Sequence, residues 1–409
     1  TLEKLIKTFP QSEYLADAKY EIGRAYIMLG KKQEAINLYA TLAKEYPHSA
    51  LSRKGKLQTA MLFDELGQQD DAIKCYKEIV DFFPQSIEAK TSLESLKSIY
   101  FDMNNIQAYA DYVETLGGFV SFEKSEQDSL TYLAAERQYL KGEYNNAISG
   151  FSSYIEKFSN GGFIYNARLN LGNSYFAIGN KDMALSEYKI IAKEVGASDR
   201  EFALSRISEI YFDKKDFENA ILSMSTLDSI TQNPENKQNA KIGILRCYNQ
   251  LNNVEASIVT ATDIIESDKV IDPALKREAL YIRAKSFNHN GDSLKAFNDY
   301  NILSENCLDE YGAEAQYNIE LHYFNKEDLA SAEKEIFDFI EKNTPHQYWL
   351  AKSFILLSDI YVKQGKDFEA KQYLLSVREN YKGKDDIMSE IKMRLDEIEN
   401  REFDKIVNE

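Results

Sequence analysis

The sequence predicts an all-α protein assembled from tandem helix pairs, and three observations predict it. A phrase of aromatic, proline, any residue and serine recurs as "FPQS", "YPHS" and "FPQS", which places Pro10, Pro47 and Pro84 37 residues apart. A small residue, an aromatic three positions later and a turn residue four beyond that recur in "IGRAYIMLG", "LGNSYFAIG", "ISEIYFDKK" and "LSDIYVKQG". The 409 residues include only 18 Gly and 6 Pro against 27 Tyr and 22 Phe, with no stretch rich in the residues that punctuate short strands.

The elements follow in order. "TLEKLIKTFP" reads as the back half of a unit, so the chain is expected to begin mid-repeat, inside a longer protein. In the first helix of a pair, Gly23, Gly172 and Ser358 leave room for a close neighbour, while Tyr26, Tyr175 and Tyr361 fill the space beside it. A turn glycine follows at Gly30, Gly67, Gly142, Gly179, Gly291 and Gly365. The second helix is anchored by Ala35, Ala72, Ala147, Ala184 and Ala220, and the series continues through Ser257, Ala296, Ala332 and Ala370. From 147 onward these anchors differ by 37, 36, 37, 39, 36 and 38 residues, which is a period with small loop insertions. The proline after the second helix cannot continue the hydrogen-bond ladder, and the polar residue behind it leads into the next helix. Ser159, Gly196 and Gln232 replace it later, so loops such as "SNGG" and "GASD" must end those helices.

Two places break the period. The third unit, about 90–116, has no alanine register, and "GGFVSFEKSEQDS" behind it has no helical spacing. A bend or break is expected at 117–127, between sub-arrays at 1–116 and 128–383. Residues 384–409 carry Ile387, Ile391, Leu395 and Ile398 on one stripe, the pattern of an amphipathic helix capping an exposed end.

These small residues, turn glycines and terminal prolines, repeated over nearly the whole chain, resemble the tetratricopeptide repeat (TPR). The resemblance implies a right-handed α-α superhelix of about ten helix pairs with a C-terminal capping helix. It also implies a concave face, lined by first helices, that holds a protein or peptide partner. Carried over register by register, that face includes Tyr20, Arg24 and Met28, then Glu136, Glu209, Phe212, Arg246 and Asn249. Its expected partner-binding set is Tyr132, Tyr139, Asn166, Asn170, Asn173, Phe176 and Arg206. Asn166, Asn170 and Asn173 stand at i, i+4 and i+7, one stripe of amides able to donate and accept. An ordinary polar helix face has the same composition. The family's carboxylate clamp is not reproduced, since Tyr20 and Arg24 hold the places of its first Lys and Asn.

Other chemistry finds no support. A net charge of −17, with "SRKGK" the densest basic patch, argues against nucleic acid. His48, His289, His322 and His346 are isolated, and Cys75, Cys247 and Cys307 form no ligand spacing, so neither a metal nor another cofactor is expected. No nucleophile elbow, phosphate loop or distinctive carboxylate pair is present, which argues against an enzyme. No apolar run reaches transmembrane length. The aromatic–Pro–x–Ser dialect is similar to that of TPR proteins of the bacterial cell envelope, implying a non-catalytic scaffold in the periplasm or at the outer membrane. A glycan-binding array, or the solenoid portion of a larger envelope enzyme, is the alternative. Limited proteolysis is expected to cut first within 117–127, and a first cut within 165–230 would contradict that placement.

Overall fold

The computed structural model describes residues 2–194, 196–267 and 272–408, and their regular structure is entirely α-helical. The chain forms two compact units, Thr1–Val195 and Gly196–Glu409. In the first, α1 (Leu2–Thr8) precedes five pairs: α2 (Leu15–Met28) with α3 (Lys32–Glu45), α4 (Ala50–Glu65) with α5 (Gln69–Phe82), α6 (Ile87–Asp102) with α7 (Ile106–Thr115), α8 (Lys124–Leu140) with α9 (Tyr144–Lys157), and α10 (Ile164–Ala177) with α11 (Lys181–Glu194). The second unit has five more: α12 (Ala197–Asp213) with α13 (Phe217–Ile230), α14 (Pro234–Gln250) with α15 (Val254–Ile265), α16 (Pro273–His289) with α17 (Ser293–Ser304), α18 (Glu310–Asn325) with α19 (Leu329–Glu341), and α20 (Gln347–Lys363) with α21 (Asp367–Asn380). It ends in α22 (Ile387–Asn408). The expected ten pairs and the cap are therefore present.

Every pair turns in the same way. One residue adopts positive φ: Gly30, Gly67, Asn104, Gly142, Gly179, Lys215, Asn252, Gly291, Glu327 and Gly365, in order. Its N–H donates to the carbonyl three residues back, as Gly30 to Ile27 (3.0 Å), and the next N–H donates to the carbonyl five back, as Lys31 to Tyr26 (2.8 Å). That is a Schellman cap, and it satisfies carbonyls the helix would otherwise leave open. The residue accepting the longer bond is Tyr or Phe in every pair except α8–α9, where Gln138 stands there. The recurring aromatic thus marks the last turn of each first helix. Where no glycine supplies the left-handed residue, the next residue is Asn105, Asp216, Asn253 or Asp328, each capping the second helix with its side chain.

The anchor series lies five residues beyond each left-handed residue, and all nine of its members are buried. Facing them, the small residues of the first helices admit side chains from the second helix of the same pair. A Cβ on Gly23 would lie 2.4 Å from the Tyr39 ring, and one on Gly172 would lie 2.9 Å from the Tyr188 ring. At the second helix's far end the Pro–x–Ser phrase both stops and restarts the chain. Ser49 Oγ accepts from Leu51 N (3.1 Å) and Ser86 Oγ from Ala89 N (3.0 Å). Tyr46 and Phe83 pack back in part, whereas Phe9 stays exposed.

The irregular third pair has a specific cause. Its anchor position is Tyr109, a buried ring where the other pairs hold a methyl or hydroxymethyl group. Only ten residues of α7 are helical, against twelve to fourteen in the other second helices, and α7 meets α6 less extensively than second helices elsewhere meet their partners. Gly117 and Gly118, both at positive φ, lead into a non-helical run up to α8. The expected connector at 117–127 therefore includes the first turn of α8, and it lies inside the first unit.

Within each unit every helix packs on its sequence neighbours. First helices also touch the next first helix, as in α2–α4, α4–α6, α6–α8 and α8–α10, and again from α14 to α22. Among the described residues, no comparable contact joins successive second helices. The first helices therefore make the closer-spaced layer of each unit. Ile387, Ile391, Leu395 and Ile398 are buried on α20 and α21, so α22 covers the last pair as expected. Glu327 is exposed and strained at φ 61°. Replacing it with glycine should raise unfolding stability by about 0.5–1 kcal/mol in a denaturant titration, and a loss would contradict this account of the turn.

Candidate functional site

The expected partner-binding residues fall into three settings. Asn166 is exposed on α10, while Tyr139 of α8 and Phe176 of α10 are half-buried at the same register, three residues before the turn glycine. Tyr139 meets Tyr144 edge-on at 5.9 Å. Asn166 and part of each ring remain open to solvent, although Tyr139 also packs against the buried cluster around Tyr132.

Tyr132 does not remain open. It is only 4% exposed, stacked on Phe163 at 4.7 Å between centroids and packed against Phe151 and Tyr154. The cause is the loop before α10: Asp128 accepts from Gly162 N (2.8 Å) and from the Tyr154 hydroxyl, and the loop so held lays Phe163 over the Tyr132 ring. Asn170 and Asn173 are likewise engaged within the unit. Asn170 Nδ2 donates to the Tyr132 hydroxyl (3.3 Å), and Asn173 Oδ1 accepts from the Tyr188 hydroxyl (2.7 Å). The amide stripe is thus partly structural, with Asn166 its outward member. Arg206 belongs to the second unit, where it pairs with Glu209 (2.7 Å) and lies over Phe202.

Ion pairs between successive first helices are a feature the sequence reading missed. In the first unit, Arg53 meets Glu88 (3.7 Å), Lys97 meets Glu126 (3.0 Å), and Arg137 meets Asp102. In the second, Arg246 grips Glu278 through two bonds (2.6 and 2.7 Å), Arg277 meets Asp309, Lys285 meets Glu314 (3.6 Å), Lys352 meets Glu390 (2.6 Å) and Arg394 meets Asp359 (2.8 Å). All these partners stand 29–38 residues apart, about one period. The only available signal was opposite charges recurring at that interval. Much of the charge on the first-helix layer is thereby spent between neighbouring helices.

Residues 17–49 and 56–86 match the tetratricopeptide repeat family. The matches end at Ser49 and Ser86, the serines of the Pro–x–Ser phrase, and span the first two full pairs. These two stretches are tetratricopeptide repeats. The other pairs share the turn and, except for α6–α7, the buried small anchor of these TPR units. Among solved structures, the chain is similar to a TPR protein from Parabacteroides merdae (18% identity, 67% of this chain and 100% of that chain, TM-score 0.37). It is also similar to the C-terminal part of a TPR repeat-containing protein from Cytophaga hutchinsonii (14% identity, 63% and 98%, TM-score 0.46), and to yeast Tom70 (11% identity, 98% and 91%, TM-score 0.36). No curated protein matches the chain.

The described helices bury few groups that could do chemistry. Among the described residues, no group of three His, Cys, Asp or Glu side chains could hold a metal, and no helix is long and apolar enough to cross a membrane. One buried acid stands out. Glu320 on α18 is fully buried, with neither carboxyl oxygen hydrogen-bonded. One turn earlier, Gln316 bonds to Glu335 and accepts from Lys342 (2.7 Å). Burial pushes the Glu320 carboxyl well above the usual range, an effect that the Glu335 charge reinforces and the Lys342 charge opposes. The folded state thus keeps a proton that the unfolded chain releases at lower pH. Stability falls as pH rises from the ordinary carboxylate range toward the raised value. Glu320→Gln removes that cost, so the variant should melt above the wild type at pH 8, with the gap closing toward pH 4. Parallel melting curves at both pH values would contradict it.

Proposed function

We propose that the chain is a non-catalytic scaffold that mediates protein–protein interactions, working in the bacterial cell envelope. TPR domains generally mediate such interactions, and the present geometry supports that role for this one. The observation that carries the reading is the pair Tyr139 and Phe176. Both rings hold the same register position in successive first helices of one unit, half-buried on the closer-spaced layer, with Asn166 exposed on the same helix as Phe176. Rings so placed give a partner rigid apolar anchors, and an exposed amide can meet a peptide backbone. The envelope assignment rests on the aromatic–Pro–x–Ser dialect. A periplasmic or outer-membrane-associated location is tested by fractionating the native organism.

The binding face is tested with a partner recovered from native lysate. Its affinity is compared between wild type, Tyr139→Ala, Phe176→Ala, the triple variant with Asn166→Ala, and Lys189→Ala on the exposed side of α11. Each aromatic truncation should cost about 2 kcal/mol of binding. The Lys189 variant should bind like wild type. Wild-type affinity in the triple variant would remove this face from consideration.

A further inference from the structure

In the second unit, the chain leaving α19 is strapped on to the chain leaving α17. Lys342 Nζ donates to the Ser304 carbonyl (3.2 Å), the Thr344 hydroxyl donates to the Cys307 carbonyl (2.7 Å), and His346 Nε2 lies 3.1 Å from the Leu308 carbonyl. The loop so held has little slack. Arg277 donates to the Leu303 and Asn306 carbonyls (3.0 Å each) and to Asp309, and a Cβ on Gly312 would lie 1.8 Å from the Asn306 oxygen. Cys307 and Thr344 are buried where the two segments meet.

Lys342 also ties the strap to the buried acid of α18. Its ammonium donates to Gln316 Oε1 (2.7 Å), one turn before Glu320, and makes no ion pair among the described residues. Glu320 stands at the register that Gly23, Gly172 and Ser358 hold in other first helices, twelve residues before the anchor Ala332, so its carboxyl is carried into the helix contact and away from water. Of the charges on the elements packed around α18, Lys342 and Glu335 of α19 reach it. The others are matched elsewhere: Arg283 with Asp299 between α16 and α17, Lys285 with Glu314, and on α20 Lys352 with Glu390 and Asp359 with Arg394. An ionised Glu320 therefore has one cation within reach. Cys307 belongs to the same cluster: burial raises its thiol, the Lys342 charge opposes that and the Glu320 charge adds to it.

We propose that Glu320 is a proton-operated latch on this strap. While its carboxyl keeps the proton, Lys342 stays on Gln316 and the Ser304 carbonyl, and the strap is closed. When the proton leaves to solvent, the carboxylate draws Lys342 to itself, the Ser304 carbonyl loses its donor, and segment 342–346 lifts from 304–309. The two segments follow the second helices of successive pairs, so the array loosens at this joint as pH rises without either pair unfolding. The latch lies in the second unit and is independent of the surface around Tyr139 and Phe176.

The test is labelling of Cys307 by N-ethylmaleimide in the full chain from pH 5 to 9, read by peptide mass spectrometry against Cys247 in the same molecules. Cys247 is fully buried in another pair of the same unit, so the ratio removes the growth of thiolate common to both. In wild type the ratio should rise by about tenfold per pH unit, as the ionised fraction of Glu320 does, and level off once that group has lost its proton. Glu320→Gln should hold the ratio at its low-pH value throughout, and Lys342→Met should hold it high throughout. A flat wild-type ratio overturns the proposal, including the case in which both thiols open together because the whole unit loosens. So does a rise that survives in Glu320→Gln; if His346→Gln removes that rise, the strap answers to His346 instead. A Lys342→Met chain that stays closed at every pH would show that the ammonium does not hold the strap, and would overturn it as well.

Discussion

Ten times the chain ends a first helix and reverses into a second, and each reversal needs one residue at positive φ so that two successive amides can turn back on to the helix's last carbonyls. Much else follows from that requirement. The left-handed residue fixes where the aromatic of the last turn sits, four positions earlier. It also fixes where the small anchor of the second helix meets its partner, five positions later. Because the turn sets both, loop insertions between pairs change the spacing of the units without disturbing packing inside them.

Pairs so built cannot bury their apolar faces alone, and the buried clusters accordingly draw on successive pairs. The first-helix layer adds ion pairs at one-period spacing. The more exposed of these, Lys97–Glu126 and Arg137–Asp102, contribute about 1 kcal/mol or less each, so their main effect is to hold register between neighbouring helices. The same layer is where a partner would bind, and the ion pairs decide what it can offer. Charges already matched between neighbours leave rings, amides and the remaining charges as the recognising groups, and the third pair, with a tyrosine in place of its anchor, departs from the common geometry.

Periodic features were legible because they answer to one local requirement each. Six turn glycines, nine anchors, three Pro–x–Ser stops and the stripe of α22 all lie where their spacing places them. The other four left-handed residues were not legible, because Asn104, Lys215, Asn252 and Glu327 carry no glycine signal, although the Asn or Asp behind each was a usable one. The site was read less well. Tyr132 shares its register with residues on an open face, and only a loop some thirty residues later, held by Asp128, buries it. Asn170 and Asn173 met the same difficulty, since their partners Tyr132 and Tyr188 come from other helices.

The central claim is that one capped turn is repeated in all ten pairs, including the four without glycine. Native-state hydrogen exchange reads it directly at the amides that follow the left-handed residues: Lys31, Gln68, Asn105, Glu143, Asn180, Asp216, Asn253, Asp292, Asp328 and Lys366. All ten should exchange slowly although they lie between helices, each held by a carbonyl five residues back. Exchange at the rate of an unstructured loop at Asn105, Asp216, Asn253 and Asp328 would show that the glycine-free turns are built differently, and would contradict the account.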